Sequence, residues 1–308
     1  MGKCRSICPL SATKPVLSTN TMTSSWPSSL TKKTKLFVPD GTPDDDALAR
    51  TTHLGIGAHP DDLEFMAFHG ICTCYQQPNQ WFGGITCTDG AGGPRSGPYA
   101  ELTQDQYIAL RQQEQAEAAR IGDYSFVLQC GYASSAVRSD SASLAATIHA
   151  ILRAAQPEAL YVHNPADKHP THIAVLRATL DALRALPRDR RPQKMLGCEV
   201  WRDLDWMTDN DKVLLDVSGH EKLAQQLNAA FVSQIDGGKQ YDQAIAGRRR
   251  AHATFHNAHA VDQASSMILA MDLTPLLQDD QLDVADFTLA HIDRFRASVQ
   301  DMWQDSHP

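Results

Sequence analysis

The chain has 308 residues, a formal net charge of −8 and 42% hydrophobic residues. This length fits one large α/β domain or two small ones, and the negative charge excludes the broad basic field that nucleic-acid-binding proteins carry. The sequence has no run of about 18 apolar residues, so we expect no helix that spans a membrane.

The N-terminal segment differs in composition from the rest of the chain. Residues 1–38 contain no Asp or Glu and are rich in Ser, Thr and Lys. A transit peptide has a similar composition, but the few basic residues here favour a plain extension. We therefore expect a disordered extension over residues 1–45 and a single domain over residues 46–308.

Strand and helix patterns then alternate along the chain. Short β-branched or apolar runs predict strands at 52–58, 82–88, 125–130 and 159–163. Helices are predicted between and after them, near 63–76, 104–121, 140–155 and 171–186. This alternation predicts a Rossmann-like α/β fold with a mostly parallel sheet and helices on both faces.

The pattern becomes more helical after Cys198, with a strand predicted at 213–217 and helices near 219–235 and 241–256. We expect residues 198–308 to be an elaboration that packs over the rim of the sheet. Functional sites in such sheets lie at the carboxyl ends of the strands. The seven cysteines form neither a disulfide framework nor paired CxxC motifs, which favours free thiols and a cytoplasmic protein.

The loop after the first predicted strand carries two adjacent carboxylates, in the stretch HLGIGAHPDDLEFMAFHG at 53–70. His59 and Asp62 are three residues apart and could converge on one metal ion while Asp61 points elsewhere. A divalent cation would offset the repulsion between the carboxylates and leave one of them free as a base. The alternative is a helix N-terminus at which both carboxylates face free N–H groups.

A second polar loop, HNPADKHPTHIAV at 163–175, follows another predicted strand. It places His169 and His172 at the start of a helix. His59, Asp62 and His172 would supply two nitrogens and one oxygen, a set typical of a catalytic zinc site with an open position. The sequence therefore predicts one Zn²⁺ per chain at this edge of the sheet, although another divalent metal could be used.

Two rival sites are weaker. His252, His256 and His259 could share one face of a helix and hold a metal, but no strand precedes them, and such a stripe is more typical of a polar helix face. A dinucleotide-binding loop at Gly55-Ile56-Gly57 would need a third glycine, where the chain has His59-Pro60.

The motif AHPDDLE followed by HPTH resembles the LmbE-like or PIG-L family of zinc-dependent N-deacetylases over about residues 51–186. The resemblance implies that His59, Asp62 and His172 bind zinc, that Asp61 is the general base, and that His169 is the acid or oxyanion stabiliser. It implies hydrolysis of an N-acetyl group on an N-acetylglucosamine-type sugar or conjugate.

Substrate contacts are expected at two further places. Arg111 begins the stretch RQQE, which resembles the family's R-x-x-E helix, whose arginine reaches the substrate; the alternative is a solvated helix face. Arg95 lies in the glycine-rich loop TDGAGGPRSG and could contact an anion.

The chain also departs from the family pattern. It has Ser134 where relatives acting on glucosaminyl inositol carry an aspartate, and Asp167 where they carry a tyrosine, and both changes bear on substrate recognition or oxyanion support. Two alternatives therefore stay open, a zinc hydrolase of another amide or acyl bond and a non-catalytic zinc protein that binds carbohydrate. We expect a small-molecule substrate, no nucleic-acid partner and a possible homo-oligomer.

Overall fold

The computed structural model of the protein describes residues 34–255 and 259–305. The strands of this part are β1 (Lys35–Phe37), β2 (His53–Gly57), β3 (Phe82–Thr88), β4 (Phe126–Tyr132), β5 (Ala159–His163), β6 (Lys194–Cys198), β7 (Lys212–Asp216) and β8 (Met267–Asp272). The helices are α1 (Asp44–Ala49), α2 (Asp62–Met66), α3 (Phe68–Cys74), α4 (Gln104–Ile121), α5 (Ser134–Ser139), α6 (Ala142–Ala155), α7 (Pro170–Arg184), α8 (Glu221–Ala229), α9 (Val232–Ile235), α10 (Tyr241–Thr254), α11 (Pro275–Gln278) and α12 (Val284–Asp305).

The strands form one mixed sheet in the order β1-β4-β3-β2-β5-β6-β8-β7. Its centre, from β4 to β6, is parallel. Strands β1, β7 and β8 add antiparallel pairs at the two edges. The chain builds one half through β2, β3 and β4 and the other half through β5 and β6. The order therefore reverses between β2 and β5, where open α/β sheets form their ligand crevice.

Apolar side chains alternate between two cores on opposite faces of the sheet. Leu54 and Ile56 of β2 belong to a core shared with α6 and α7. On the other face, a Cβ atom at Gly55 would come within 3.0 Å of Leu63 of α2 and within 2.8 Å of Phe82. Glycine at this position therefore lets α2 lie close against the sheet. This packing explains the presence of Gly55 without a phosphate-binding loop.

The C-terminal third packs over the rim of the sheet, as the sequence predicted. Ser233, at the start of α9, donates from its N–H and its hydroxyl to the carboxylate of Glu114 in α4, at 2.6 and 2.7 Å. Arg249 of α10 donates to the backbone carbonyls of Glu64 and Phe65 in α2. These buried contacts fix α9 and α10 beside the loop that follows β2.

Three element predictions need correction. Disorder was expected over residues 1–45, but Lys35–Phe37 forms a strand that pairs with β4, and helix α1 follows it. Residues 1–33 lie outside the described residues. The helix expected at 63–76 is divided at Ala67. The helix expected at 219–235 is two helices, α8 and α9.

Strands β6 and β8 are not predicted from the sequence. Their sequences, KMLGC and MILAMD, are poor in β-branched residues, and β8 contains several good helix formers. Pairing of β8 with both β6 and β7 overrides this local preference. Among the described residues, no helix is both long enough and apolar enough to cross a bilayer.

Shortening an apolar side chain in the core below the crevice should destabilise the fold. Ile56 is fully buried in the central strand β2. We expect Ile56→Ala to lower the free energy of unfolding by about 2–5 kcal/mol, because the lost packing leaves a cavity. Urea denaturation measures this change. Leu289→Ala, at a side chain that is 53% exposed, is the matched control, and an equal loss in both variants would contradict the proposed core.

Candidate metal centre and active site

The polar loops predicted from the sequence meet at the point where the strand order reverses. The loop after β2 carries His59, Asp61 and Asp62, and the loop after β5 carries Asp167 and His169 before α7 begins. Strands β2 and β5 are parallel neighbours, so their carboxyl ends open onto the same crevice.

The loop after β2 turns sharply so that its two carboxylates point in different directions. Asp61 has φ +96°, in the left-handed region that non-glycine residues rarely adopt. Asp62 Oδ2 accepts a hydrogen bond from the backbone N–H of His59 at 2.7 Å. A Cβ atom at Gly57 would lie 3.0 Å from the Asp62 Cβ, so glycine there permits this close turn. Asp62 is thereby held inside the loop while Asp61 faces away from it.

Three possible ligand atoms meet at the centre of the crevice. His59 Nδ1 lies 3.2 Å from Asp62 Oδ2. His172 Nε2 lies 3.4 Å from the same oxygen and 3.3 Å from His59 Nδ1. Tetrahedral zinc with ligands at 2.0–2.2 Å places its ligand atoms about 3.3 Å apart. The spacing of these three atoms fits such an ion.

The protonation of His172 supports the same fit. Its Nδ1 lies 3.1 Å from the buried carboxylate of Asp167 and so carries the proton, which leaves a lone pair on Nε2. Burial and the neighbouring His163 lower the pKa of His172 to about 4, which keeps the ring neutral at pH 7. The Nε2 lone pair and the Asp62 carboxylate oxygen, 3.4 Å apart, are therefore both available to a cation at this point of the crevice.

The electrostatics of Asp62 point the same way. Burial acts to raise the pKa of its carboxyl, but the effect of His172 and His163 outweighs burial and holds the pKa well below its usual range. Asp62 is therefore ionised although it is buried, and the neighbouring His172 is neutral. These are the protonation states in which a carboxyl group and an imidazole bind a metal ion.

Two neighbours that the sequence analysis did not assign to this centre support His172. Asp167 also accepts hydrogen bonds from the backbone N–H groups of His169 and Trp201, which fixes its carboxylate in place. His163, at the end of β5, is fully buried and stacks on His172 with ring centroids 3.8 Å apart. From the sequence, Asp167 is only a departure from the family pattern, and its place five residues before His172 is the signal that links it to this centre.

His163 and His169 could also contribute to a metal site. Besides the three atoms above, two further groups of described side chains have ligand atoms within 4.8 Å of one another: His59 with His169 and His172, and Asp62 with His163 and His172. However, His163 Nε2 already accepts a hydrogen bond from the Ala58 N–H at 2.9 Å. This bond occupies the lone pair that a metal would need.

Asp61 is buried and paired with an arginine. Arg111 of α4 donates to Asp61 Oδ2 at 2.9 Å and also to the carbonyl of Pro60. Gln115, one turn further along α4, accepts from the backbone N–H of Asp61. Burial raises the pKa of the Asp61 carboxyl to about 7, with Arg111 acting in the opposite direction. The R-x-x-E helix therefore holds Asp61 in position, while its Glu114 anchors α9.

His169 caps the N-terminus of α7. Its Nδ1 accepts a hydrogen bond from the backbone N–H of Thr171 at 3.3 Å. In the neutral ring, the proton is then on Nε2, so that nitrogen is a hydrogen-bond donor. Burial, followed by the effect of His59, lowers the pKa of His169 and favours this neutral form. The ring lies against both His59 and His172, with centroids 4.9 and 4.5 Å away.

Of the two arginines expected to contact substrate, one lines the crevice and the other does not, and the rival histidine cluster lies apart from this centre. Arg111 lines the crevice, but its guanidinium is only 3% exposed. Arg95 is exposed, donates to the carbonyl of Leu102, and is not brought to the cavity wall. In the rival cluster, His252 pairs with Glu199 at 2.9 Å, and neither His252 nor His259 joins a metal-capable group of the described residues. His256 lies outside the described residues.

The centre opens into a cavity of about 490 Å³. Ser134, at the start of α5, is part of its wall. The wall also has four basic side chains, Arg111, Arg138, Lys239 and Arg248, and three aromatic ones, Phe65, Trp201 and Tyr241. This volume suits a small-molecule ligand, and His59, Asp61, Asp62 and His169 are part of the wall.

Comparisons with known proteins cover the part of the chain that carries the two polar loops. Residues 54–183 match the family model described as PIG-L, GlcNAc-PI de-N-acetylase, and this range includes β2, β5 and both polar loops. No curated protein matches the chain.

Solved structures share the fold at low sequence identity. N,N'-diacetylchitobiose deacetylase from Pyrococcus horikoshii has a TM-score of 0.58 and 16% identity, with 75% of this chain and 86% of that chain covered. The hydratase GalB from Pseudomonas putida has a TM-score of 0.56 and 17% identity, with 72% and 95% covered. The conserved protein TT1542 from Thermus thermophilus has a TM-score of 0.55 and 19% identity, with 75% and 98% covered.

The deacetylase and the hydratase show that the shared fold does not by itself fix the reaction. Residues 54–183 of the chain match a PIG-L (LmbE-like) domain.

Proposed function

We propose that the protein is a zinc-dependent hydrolase that removes an N-acetyl group from an N-acetylglucosamine-type sugar or sugar conjugate, giving acetate and a free amine. The observation that carries this proposal is the arrangement of the two aspartates. Asp62 lies 3.2–3.4 Å from two histidine nitrogens, whereas Asp61 faces the cavity beside them and is held by Arg111. A purely structural metal site would have no use for this second carboxylate.

His59, Asp62 and His172 would hold the metal, with Asp167 orienting His172 through its Nδ1–H. A zinc ion held there would polarise the amide carbonyl and lower the pKa of water towards about 7. Three protein ligands leave a position open for water or substrate.

Asp61 would act as the general base. It takes a proton from the attacking water as the water oxygen bonds to the amide carbon. Its raised pKa, about 7, suits a group that must both accept and release a proton near neutral pH. Arg111 keeps the carboxylate aimed at the cavity throughout.

His169 would stabilise the oxyanion that forms on the amide oxygen. The sequence analysis offered it as an acid or an oxyanion stabiliser, and the bond from Thr171 to its Nδ1 favours the second role, because it leaves Nε2–H as the donor. Asp61 would then return its proton to the amine nitrogen as the carbon–nitrogen bond breaks. The water supplies both the acetate oxygen and the proton on the amine.

Acetate release from a panel of N-acetylated mono- and disaccharides, and from other acetylated amines, tests the proposed function. We expect turnover of an N-acetylglucosamine-type compound by the zinc-loaded protein and its loss after chelation. Turnover restricted to non-sugar amides would indicate another amidohydrolase. Binding of sugars without turnover would indicate the carbohydrate-binding alternative and would overturn the proposal.

The carboxylate behind His172 gives a separate prediction. Asp167→Asn should lower zinc affinity by about 10–100-fold, because it replaces the oxygen that accepts from the His172 Nδ1–H by an NH2 group, which cannot accept. The asparagine oxygen can still accept from the backbone N–H of His169, so the fold should persist. Competition against a chelator measures the affinity. Asp181→Asn, at an exposed carboxylate of α7, is the control, and equal affinity in the two variants would remove Asp167 from the metal centre.

A further inference from the structure

The last helix of the described chain projects beyond the domain. The first half of α12 packs on the domain through Thr288 and His291, which are 8% and 7% exposed. Every residue from 292 to 304 is exposed, so no other described part of the chain buries any of them. A separate helix of about 12–15 residues is only marginally stable in water, because helices in proteins are stabilised mainly by packing of an apolar face. The projecting half therefore needs a surface to pack against.

An apolar stripe runs along this helix and continues through its projecting half. Positions at alternating spacings of 3 and 4 residues are occupied by Ala285, Thr288, Ile292, Phe295, Val299 and Met302. None of the six is charged, although half of the residues from 293 to 296 and beyond on the other sides of the helix are polar or charged. Phe295 and Val299 are 40% and 43% exposed, and Met302 is 73% exposed. This spacing is the one at which two α-helices pack along each other.

A groove lies beside the first half of α12. It has a volume of about 350 Å³ and separates α12 from α7. Ile173, Leu176 and Leu180 form its wall on α7, and Val284 and Ala285 are part of its wall on α12. The groove therefore offers apolar surface at the end of α12 that is opposite to the projecting half.

The stripe and the groove are complementary across a two-fold axis. If two α12 helices lie antiparallel with Ile292 of each beside Phe295 of the other, the same register brings Val299 of each over Thr288 of the other. Met302 of each then lies beside Ala285 of the other, at the groove. A parallel pair would instead place the two Met302 ends together and leave both grooves open.

We propose that a second copy of this chain covers this surface. Two chains form a homodimer in which the α12 helices pair antiparallel and the Met302 end of each lies in the groove between α7 and α12 of the other. Each copy carries both the stripe and the groove, so one two-fold axis makes the same contact twice. This inference goes beyond the proposed function, because no described residue of α12 is part of the wall of the active-site cavity.

Sedimentation equilibrium of the full-length protein tests the dimer. We expect a mass about twice the 33.8 kDa of one chain at about 10 µM protein. Phe295→Lys and Val299→Lys should each weaken dimerisation by at least about 30-fold, because the new ammonium group would be buried between the helices without a partner. Both side chains are exposed in the single chain, so neither change should unfold the domain.

Ala297→Lys is the matched control for these variants. It adds the same charge to the same helix, at an exposed residue outside the stripe. We expect its dimerisation constant to stay within about twofold of the parent's. Equal weakening in Ala297→Lys and Val299→Lys would show that the stripe is not the interface.

Disulfide cross-linking tests the antiparallel register. Ala285→Cys and Met302→Cys are made separately, each together with Cys4→Ser and Cys8→Ser, and the five remaining cysteines are buried. We expect a covalent dimer when the two proteins are mixed and oxidised, and none from either protein alone, because only unlike positions face each other. Cross-linking of Met302→Cys with itself would indicate a parallel pair and overturn the inference.

The remaining outcomes also decide the matter. A monomeric parent, or a dimer that both lysine variants leave intact, would overturn the inference. If the parent is monomeric and Val299→Lys lowers its thermal stability while Ala297→Lys does not, the stripe is covered within the chain by residues outside the described part. None of these measurements uses acetate release, so failure of the proposed function and failure of this inference are distinguishable.

Discussion

Replacing Asp61 by asparagine is expected to leave a folded protein loaded with about one zinc ion while lowering kcat for deacetylation by at least about 100-fold. Asparagine keeps the size of the side chain, and its oxygen can still accept from Arg111, which donates to Oδ2 at 2.9 Å. It cannot accept a proton from water. The variant therefore removes proton transfer and keeps the surrounding structure.

Metal content, a thermal unfolding curve and steady-state kinetics on the same preparation check this prediction. Asp62→Asn is the matched comparison, since it makes the same chemical change at the next residue. We expect it to lose metal affinity, because Asp62 Oδ2 lies within 3.4 Å of His59 Nδ1 and His172 Nε2. A metal-free Asp61→Asn protein, or one as active as the parent, would show that the roles assigned to the two aspartates are wrong.

The second large effect is expected for the histidine that α7 brings to the centre. His172→Ala should remove most of the bound zinc and abolish turnover, because two ligands alone form a weak site. His172 is fully buried, so unfolding curves must accompany the metal analysis. His172→Gln, which fills more of the space, separates the loss of the ligand from the loss of packing.

The rival histidine cluster supplies the control for this experiment. His259→Ala should retain about one zinc per chain and full activity, since His259 is exposed and joins no metal-capable group of the described residues. Zinc lost from His259→Ala and retained by His172→Ala would move the metal to the C-terminal cluster. That result would also remove the basis of the proposed mechanism.

The sequence determined the central sheet and the position of its crevice. The strands predicted at 82–88 and 159–163 are β3 and β5 as observed, because short runs rich in β-branched, aromatic and small residues suit strands that are buried on both faces of a parallel sheet. The loop HPDD and the loop HPTH follow β2 and β5, and parallel strands bring their carboxyl ends to one edge. Local patterns were therefore sufficient to bring His59 and His172 together.

Only the tertiary structure decided how the side chains around that centre are used. Arg111 could have been a substrate contact from its sequence alone, but the packing of α4 against the loop after β2 turns its guanidinium onto Asp61. Asp167 became the partner of His172 because the loop before α7 folds back on itself. No spacing rule encodes such contacts, since they depend on the angle at which a helix meets a loop.

The contacts of the C-terminal third also could not be predicted from local patterns, because they join residues that are far apart in the chain. Lys239 and Arg248 reach the cavity only because Ser233 and Arg249 anchor α9 and α10 to α4 and α2, more than a hundred residues earlier in the chain. Strand β8, with a sequence that favours a helix, is held in the sheet by pairing with β6 and β7. Periodicity and motifs report on neighbours in the chain, so the sequence by itself determined the central sheet and the two polar loops at its crevice. The composition of the cavity wall was decided by packing between distant segments.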